Sequence, residues 1–433
     1  MEPTGMLLYG GMLAAIWATY GARRASVHRR NFAVRAAAER AGLLEPPSRH
    51  PSIDPMKCLG CGACVAACPE HQVLGVIRGK AHLIDPTACV GHGACFEACP
   101  TDAIRLVFGT PTKGVHVPIV ADNLETNVPG VFIAGELGGV GLIANAVEQG
   151  RRAVEAMRAC DAGGEADGLD LVIAGAGPAG LAASLAAIER GLRFVTVEQD
   201  TLGGCIAHYP RGKLVMSSPA ELPIVGRMPF SRASKEDLLA YWRDVERDVG
   251  LEIRYGERVG SVTRRDGGFD VRTSGATYRT RAVLLAIGRR GTPRRLGVPG
   301  EGLSKVVYRL DDAEQYTGNT VLVVGGGNSA LEAAAGLAEL GTVDVTLSYR
   351  GRSFTRAREE NRLRIERAES EGRLAVLMES HVTEIREDTV LLQRDGRVHE
   401  IANDAVIVCA GGLMPTDLLD RIGIAVDTKY GTA

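Results

Sequence analysis

Apolar and polar positions divide the chain into stretches of different character. From Gly5 to Ala22 (GMLLYGGMLAAIWATYGA) no residue is charged, and Arg23, Arg24, His28, Arg29 and Arg30 follow directly. An uncharged run of this length sits at the short end of the roughly 17–25 residues that cross a bilayer, so the pattern predicts a single membrane-anchoring helix over 5–22, with a helix lying in the interface as the alternative. The arginines come after the run, where a cleaved secretory signal would carry them before it, and this places the remaining chain on the cytoplasmic side of the inner membrane. The stretch Asn31–Pro55 begins helical (FAVRAAAERAGLLE) and ends in proline-rich EPPSRHPSIDP, the composition of a linker.

Further along, Leu169–Asp200 reads LDLVIAGAGPAGLAASLAAIERGLRFVTVEQD, an apolar strand, a glycine turn, an alanine-rich helix and a second strand ending in an acid. That order is a dinucleotide-binding fingerprint. Gly175 makes the turn, Gly177 admits a pyrophosphate to the backbone beside Pro178 and Ala179, Gly180 lets the helix pack on the strand, and Glu198 suits a ribose hydroxyl. A second copy, Asn319–Arg350, carries Gly325, Gly327 and Ala330 at the three positions, with Asn328 and Ser329 between. Its second strand ends at Tyr349 and Arg350, with Arg352 and Arg356 close behind. Guanidinium groups fork onto phosphate, so the pocket suits the 2′-phosphate of NADPH over NADH, although a solvated basic loop would read the same way.

Seven of the ten cysteines fall between Cys58 and Cys99, a clustering that points to metal and away from a disulfide framework. Cys58, Cys61, Cys64 and Cys68, followed by Pro69, match C-x2-C-x2-C-x3-C-P, and a second run supplies Cys89, Cys95, Cys99 and Pro100 with His92 where its second cysteine should stand. Across Pro51–Val107 the segment resembles the dicluster bacterial ferredoxins. That resemblance implies one 4Fe-4S cluster on Cys58, Cys61, Cys64 and Cys99 and a second on Cys68, Cys89 and Cys95, the last cysteine of each run serving the other cluster. His92 makes the second cluster either histidine-ligated or 3Fe-4S, unless it is only a loop residue. Cys160, Cys205 and Cys409 are scattered singly, as small buried side chains often are.

With 45% apolar residues and a formal net charge of -2, the composition excludes nucleic acid as a main ligand. The 54 glycines against 5% aromatic residues fit an α/β protein with many tight turns.

The two dinucleotide folds, with AIG of Ala286–Gly288 and CAGG of Cys409–Gly412 as strand-end turns, resemble the two-dinucleotide flavoprotein reductases, thioredoxin reductase and thioredoxin-reductase-like ferredoxin–NADP reductase being the nearest types. The resemblance implies FAD on the first fold, with Gly204 and Gly288 beside it, and the nicotinamide on the inserted second. Such reductases end in a stretch like TNVPGVFAAGD, whose acid binds the flavin ribityl chain. Here its counterpart lies early, at Glu125–Met157, with Gly135 and Glu136 in the place of that glycine and acid. This implies a circular permutation. The expected domains are an anchor helix over 5–22, a linker over 23–50, a dicluster ferredoxin domain over 51–107, a displaced piece of the FAD domain over 108–160, the FAD domain over 167–290, the nicotinamide domain over 291–410 and a return segment over 411–433. The fold class is α/β: two Rossmann-like domains, a small α+β ferredoxin domain and an N-terminal transmembrane helix.

The activity so implied is a membrane-anchored oxidoreductase moving electrons among NADPH, FAD and two iron–sulfur clusters, in either direction. Its partner would be a redox protein or a membrane carrier, and a homodimer is left open. Thioredoxin reductase needs a C-x-x-C pair in the nicotinamide domain, and none occurs between Gly291 and Ala410. Only Cys205 lies near the first ribose acid, so a single-cysteine disulfide reductase is the alternative, and a non-catalytic redox sensor is another. The run His208–Pro219 is expected to line the flavin through Tyr209 or Lys213.

Overall fold

No helix breaker separates the uncharged start of the chain from FAVRAAAER, and the result is one 38-residue helix, Pro3–Arg40. The computed structural model describes residues 3–46, 48–70, 72–158, 168–216, 220–230, 232–289 and 292–432. They form two units, Met1–Lys113 with Tyr430–Ala433 and Gly114–Lys429.

In the smaller unit the second half of the long helix is docked. Asn31 Nδ2 donates to the Val76 carbonyl at 3.2 Å, Arg35 Nη1 lies 2.8 Å from His82 Nδ1, and Ala38 and Leu43 are buried. Residues 23–50 are therefore not the spacer expected from their composition. The transmembrane helix expected over 5–22 is also corrected, because among the described residues no helix is long and apolar enough to cross a membrane. Glycine and alanine dilute the apolar stretch, and the helix runs on through Arg23 and Arg24 instead of stopping at a bilayer boundary. Met12, Leu13, Ile16, Trp17 and Tyr20 are exposed on it. The rest of this unit consists of two short antiparallel ladders, His50–Ile53 with Ile104–Val107 and Leu74–Ile77 with Lys80–Leu83, and two short helices, Ala63–Ala67 and Ala94–Glu97. Val73, Leu74, Ala103 and Ile104 pack among the cysteines.

Two large sheets organise the larger unit. In the first, the strands run in the order Ile253–Tyr255, Phe194–Glu198, Leu169–Ala174, Thr277–Leu285, Gly268–Thr273, Val259–Arg265. Val131–Ile133 joins it in parallel, with Val131 opposite Val283 and Ile133 opposite Leu285. Val131, Phe132 and Ile133 are all buried, as befits a strand covered on both faces, and each such side chain contributes about 1.5–3 kcal/mol. The helix Ile143–Arg158 then packs beside Pro178–Glu189, sharing a core of Ala153, Val154, Ala183 and Leu171. Gly150 allows this approach, since a Cβ there would come within 2.0 Å of the Ala179 carbonyl oxygen. From the other end of the chain, helix Thr416–Ile422 puts Leu419 into the core with Val131 and Val283, and Val426–Lys429 pairs with Val115–Pro118.

The second sheet is wholly parallel, in the order Val306–Val307, Ala405–Val408, Thr320–Val324, Asp344–Tyr349, Leu374–Met378. Three antiparallel strands, Ser380–Ile385, Thr389–Arg394 and Arg397–Ala402, complete it as a separate ribbon. Thr292–Pro293 and Gly412–Leu413 pair where the chain enters and leaves this part. The α/β class with two dinucleotide folds is thus the observed one.

Candidate cofactor sites

Strand Leu169–Ala174 ends at Gly175, whose N–H donates to the Val197 carbonyl at 2.7 Å, and Gly177 caps the helix that begins at Pro178. Glu198 closes the neighbouring strand. Only 6% exposed, it accepts the Ala176 N–H at 2.7 Å on one oxygen and the Asp200 N–H at 2.9 Å on the other. The carboxylate is fixed beside the glycine turn and keeps acceptor capacity for a hydroxyl. Gly203 N–H donates to the Ala176 carbonyl at 2.9 Å, which lays Gly204 against the backbone of Gly177. Gly180 sits at the strand–helix contact, over the Gly175 carbonyl.

Gly135 reaches the same place from the early segment. Its N–H donates to Gln149 Oε1 at 2.7 Å, it abuts Ala179, and Glu136 follows it in the 3₁₀ turn Gly135–Gly138. Gly288 follows strand Thr277–Leu285, where the Ala286 N–H donates to the Ala174 carbonyl at 2.8 Å. The residues expected around FAD therefore gather at the carboxyl ends of the parallel strands, the side of such a sheet where ligands bind, with a helix amino end among them. Gln149 had no sequence signal beyond its place on a helix.

At the second turn the Gly325 N–H donates to the Ser348 carbonyl at 2.9 Å, Gly327 caps helix Asn328–Glu339, and Ala330 is fully buried at 0%. Asn328 Oδ1 accepts the Arg358 N–H at 2.8 Å and Asn361 Nδ2 at 3.0 Å, while Ser329 is exposed. The Tyr349 ring covers Gly326 and stacks on Phe354 with centroids 5.5 Å apart. The three arginines separate. Arg356 runs beside Gly327 in a parallel bridge and is exposed, as is Arg350, whereas Arg352 Nε is held by Glu379 at 2.7 Å.

In the smaller unit two cavities divide the cysteines. Cys58, Cys61, Cys64 and Cys99 line one, and Cys68, Cys89, Cys95 and His92 line the other, together with Glu70. The thiols spread along the walls: among the described residues no three His, Cys, Asp or Glu side chains come close enough to hold a single metal ion. Ala81 N–H points at Cys58 Sγ and Ala103 N–H at Cys99 Sγ, each at 3.3 Å, as suits sulfur carrying charge. Burial pushes the Cys64 thiol up to about 11, with Cys58, Cys95 and Cys61 adding to the rise, and burial takes Cys89 up to about 11. Loading a cluster on these residues releases their protons.

Arg49 escaped the sequence reading. Its Nε is buried and has no hydrogen-bond partner among the described residues, a Cβ on Gly93 would lie 3.8 Å from its Nη2, and its carbonyl is 3.9 Å from Cys89 Sγ. Burial lowers its pKa from the usual arginine value, with Cys95 opposing. A lone arginine in EPPSRHPSIDP belongs to no motif.

Cys205 is exposed on the 3₁₀ turn Gly204–His208, and His208 Nε2 of that turn lies 2.8 Å from Asp200 Oδ2. Desolvation pushes the Cys409 thiol up to about 12, with Glu332 adding, which makes it inert. Cys160 and residues 217–219 lie outside the described residues. Lys213, expected at the flavin, is paired with Glu332 Oε2 at 2.7 Å and stands 4.5 Å over the Tyr209 ring.

The model of the pyridine nucleotide-disulphide oxidoreductase family matches residues 172–432, and that of the 4Fe-4S dicluster domain matches residues 50–100. Bacilliredoxin reductase Bdr of Bacillus subtilis is 28% identical over 267 residues, covering 60% of this chain and 82% of that protein. A ferredoxin–NADP reductase of Thermus thermophilus is 31% identical over 275 residues, covering 60% and 78%. The solved structure of bacillithiol disulfide reductase Bdr from Bacillus cereus superposes with a TM-score of 0.55 at 27% identity, covering 60% of this chain and 82% of that one. The family match starts after Gly135 and Gln149, although the strand Val131–Ile133 lies in its sheet. By its two glycine turns, its paired sheets and these matches, the chain belongs to the pyridine nucleotide-disulphide oxidoreductase family, as an FAD- and NADPH-dependent oxidoreductase that also carries a 4Fe-4S dicluster domain.

Proposed function

We propose that the chain exchanges electrons between NADPH and a separate redox protein through FAD and two iron–sulfur clusters. The observation that carries this reading is the division of the cysteines, in which Cys99 joins Cys58, Cys61 and Cys64 while Cys68 joins Cys89, Cys95 and His92. When bound, FAD supplies the conversion between a two-electron nicotinamide couple and one-electron carriers, and the clusters supply one-electron carriage. The chain's own part is to bind and orient. Glu198 takes a ribose hydroxyl, Glu136 the ribityl chain, and helix Ile143–Arg158 presents its positive end to the flavin. Arg356, with Arg350, takes the 2′-phosphate of NADPH. Glu125–Met157 is the displaced closing piece of the FAD fold, a reading supported by its parallel pairing with Thr277–Leu285 and by the Gly150–Ala179 contact. His92 is the fourth ligand of the second cluster.

The test is anaerobic addition of NADPH to the full chain, with iron and flavin counted and EPR recorded. Bleaching of the flavin together with reduced-cluster signals is expected. A bleached flavin beside silent clusters would remove them from the electron path.

The exposed Cys205 beside the His208–Asp200 pair, and the similarity to bacillithiol disulfide reductase, favour one second reading, disulfide reduction at Cys205. Under it, Cys205→Ala abolishes turnover of a low-molecular-weight disulfide and leaves NADPH-dependent dye reduction intact.

Membrane association is part of the first reading in its interfacial form. Exposed Met12, Leu13, Ile16, Trp17 and Tyr20, followed by Arg23, Arg24, Arg29 and Arg30, suit the surface of an anionic bilayer. Co-flotation with anionic vesicles that Trp17→Ser weakens is expected, and no flotation ends this part of the reading.

A further inference from the structure

We propose that Arg49 raises the reduction potential of the second cluster by placing a half-buried positive charge beside the run Cys89–Cys95. The inference rests on the reading that the cavity of Cys68, Cys89, Cys95 and His92 takes a cluster.

Arg49 Nε is buried with no hydrogen-bond partner among the described residues. An unmet buried donor is costly, so a protein keeps one where some further acceptor meets it. The position indicates which acceptor. The guanidinium lies over Gly93, inside the run Cys89–Cys95, and the Arg49 carbonyl is 3.9 Å from Cys89 Sγ. Gly91, Gly93 and Cys95 line the second cavity. Sulfide and thiolate sulfur there would give the guanidinium an anionic neighbour. Arginine keeps its proton in proteins, so the group brings a full charge as well as an N–H.

The charges around the two cavities are unequal even before Arg49 is counted. Four cysteines line the first and three cysteines with His92 line the second, so the second site carries less negative ligand charge. Of the other charged groups, Glu70 lines the second cavity and opposes Arg49, the two residues being partly buried alike. At the first cavity Lys80 Nζ donates to the Cys58 carbonyl at 2.7 Å, so that site too has a cation beside one of its cysteines. Potential in iron–sulfur sites follows net charge and hydrogen bonds to sulfur: at the first site the Ala81 and Ala103 N–H groups meet sulfur, and at the second Arg49 adds positive charge. Arg49 thereby makes the site of His92 easier to reduce than it would be without that charge.

The test is an EPR-monitored redox titration of the full chain, with iron counted per chain and the second-cluster signal identified as the one altered by Cys89→Ser. Arg49→Gln should lower the midpoint of that signal and leave the other in place, while Arg49→Lys restores it. Loss of only the second cluster in Arg49→Gln, with retention in Arg49→Lys, would equally support a role for the charge. Unmoved midpoints in fully loaded Arg49→Gln, an equal shift of both signals, or a lysine variant that behaves like the glutamine one overturns the role of Arg49. Wild-type chain holding iron for a single cluster overturns the underlying two-cluster reading instead.

Discussion

Gly327 and Arg356 run side by side as a parallel bridge, so one arginine is carried to the glycine turn by backbone pairing, while Arg352 is taken up by Glu379 at 2.7 Å. A charged hydrogen bond to phosphate is worth about 1.5–3 kcal/mol, roughly ten- to a hundredfold in affinity. Arg356→Ala should raise the KM for NADPH by about tenfold or more and leave that for NADH unchanged. Arg352→Ala should change little, and steady-state kinetics with both coenzymes will separate the two.

His92→Cys should give the second cluster a fourth thiolate and lower its potential, since ligand charge sets potential. Mössbauer and EPR spectra of the reduced variant check this. Unchanged spectra and potential would mean that His92 binds no iron.

Gly150→Leu should force apart helices Ile143–Arg158 and Pro178–Glu189, because even a Cβ at Gly150 would come within 2.0 Å of the Ala179 oxygen. Overpacking of this kind costs about 1–3 kcal/mol. Purified variant should carry substoichiometric flavin and melt earlier, and full flavin content would show that the contact does not shape the pocket.

His50 is buried with Nδ1 donating to the Ser48 carbonyl at 3.1 Å, and burial lowers its pKa from the usual value, with that hydrogen bond opposing. The unfolded chain takes up a proton near pH 6.5 that the folded chain resists, so stability falls as pH drops from about 6.5 toward the depressed folded value. His50→Gln should flatten this acid limb in thermal unfolding measured across that range. A limb of unchanged slope would assign it to other groups.

The glycine turns were readable because Gly175–Gly180 and Gly325–Ala330 act through neighbours in sequence, and the cysteine runs for the same reason. The partition of Cys68 and Cys99 was readable only through resemblance. What stayed hidden depends on distant contacts: Asn31 on the Val76 carbonyl turns an expected tether into a docked helix, Lys213 finds Glu332, and Arg49 comes to Gly93. Residues 5–22 lack charge without being strongly apolar, because their glycines and alanines contribute little apolarity, and this separates the expected membrane helix from the observed helix.

Pairing of Val131 with Val283 has a further consequence for the ribosome-bound chain. The buried strand Val131–Ile133 is synthesised early, yet its neighbour in the sheet emerges only after two intervening βα segments have been translated. Until then three apolar residues have no sheet to enter, which makes this stretch a natural point for chaperone attention. Flavin uptake must wait for the same event, so cofactor loading comes only after Leu285 has been translated.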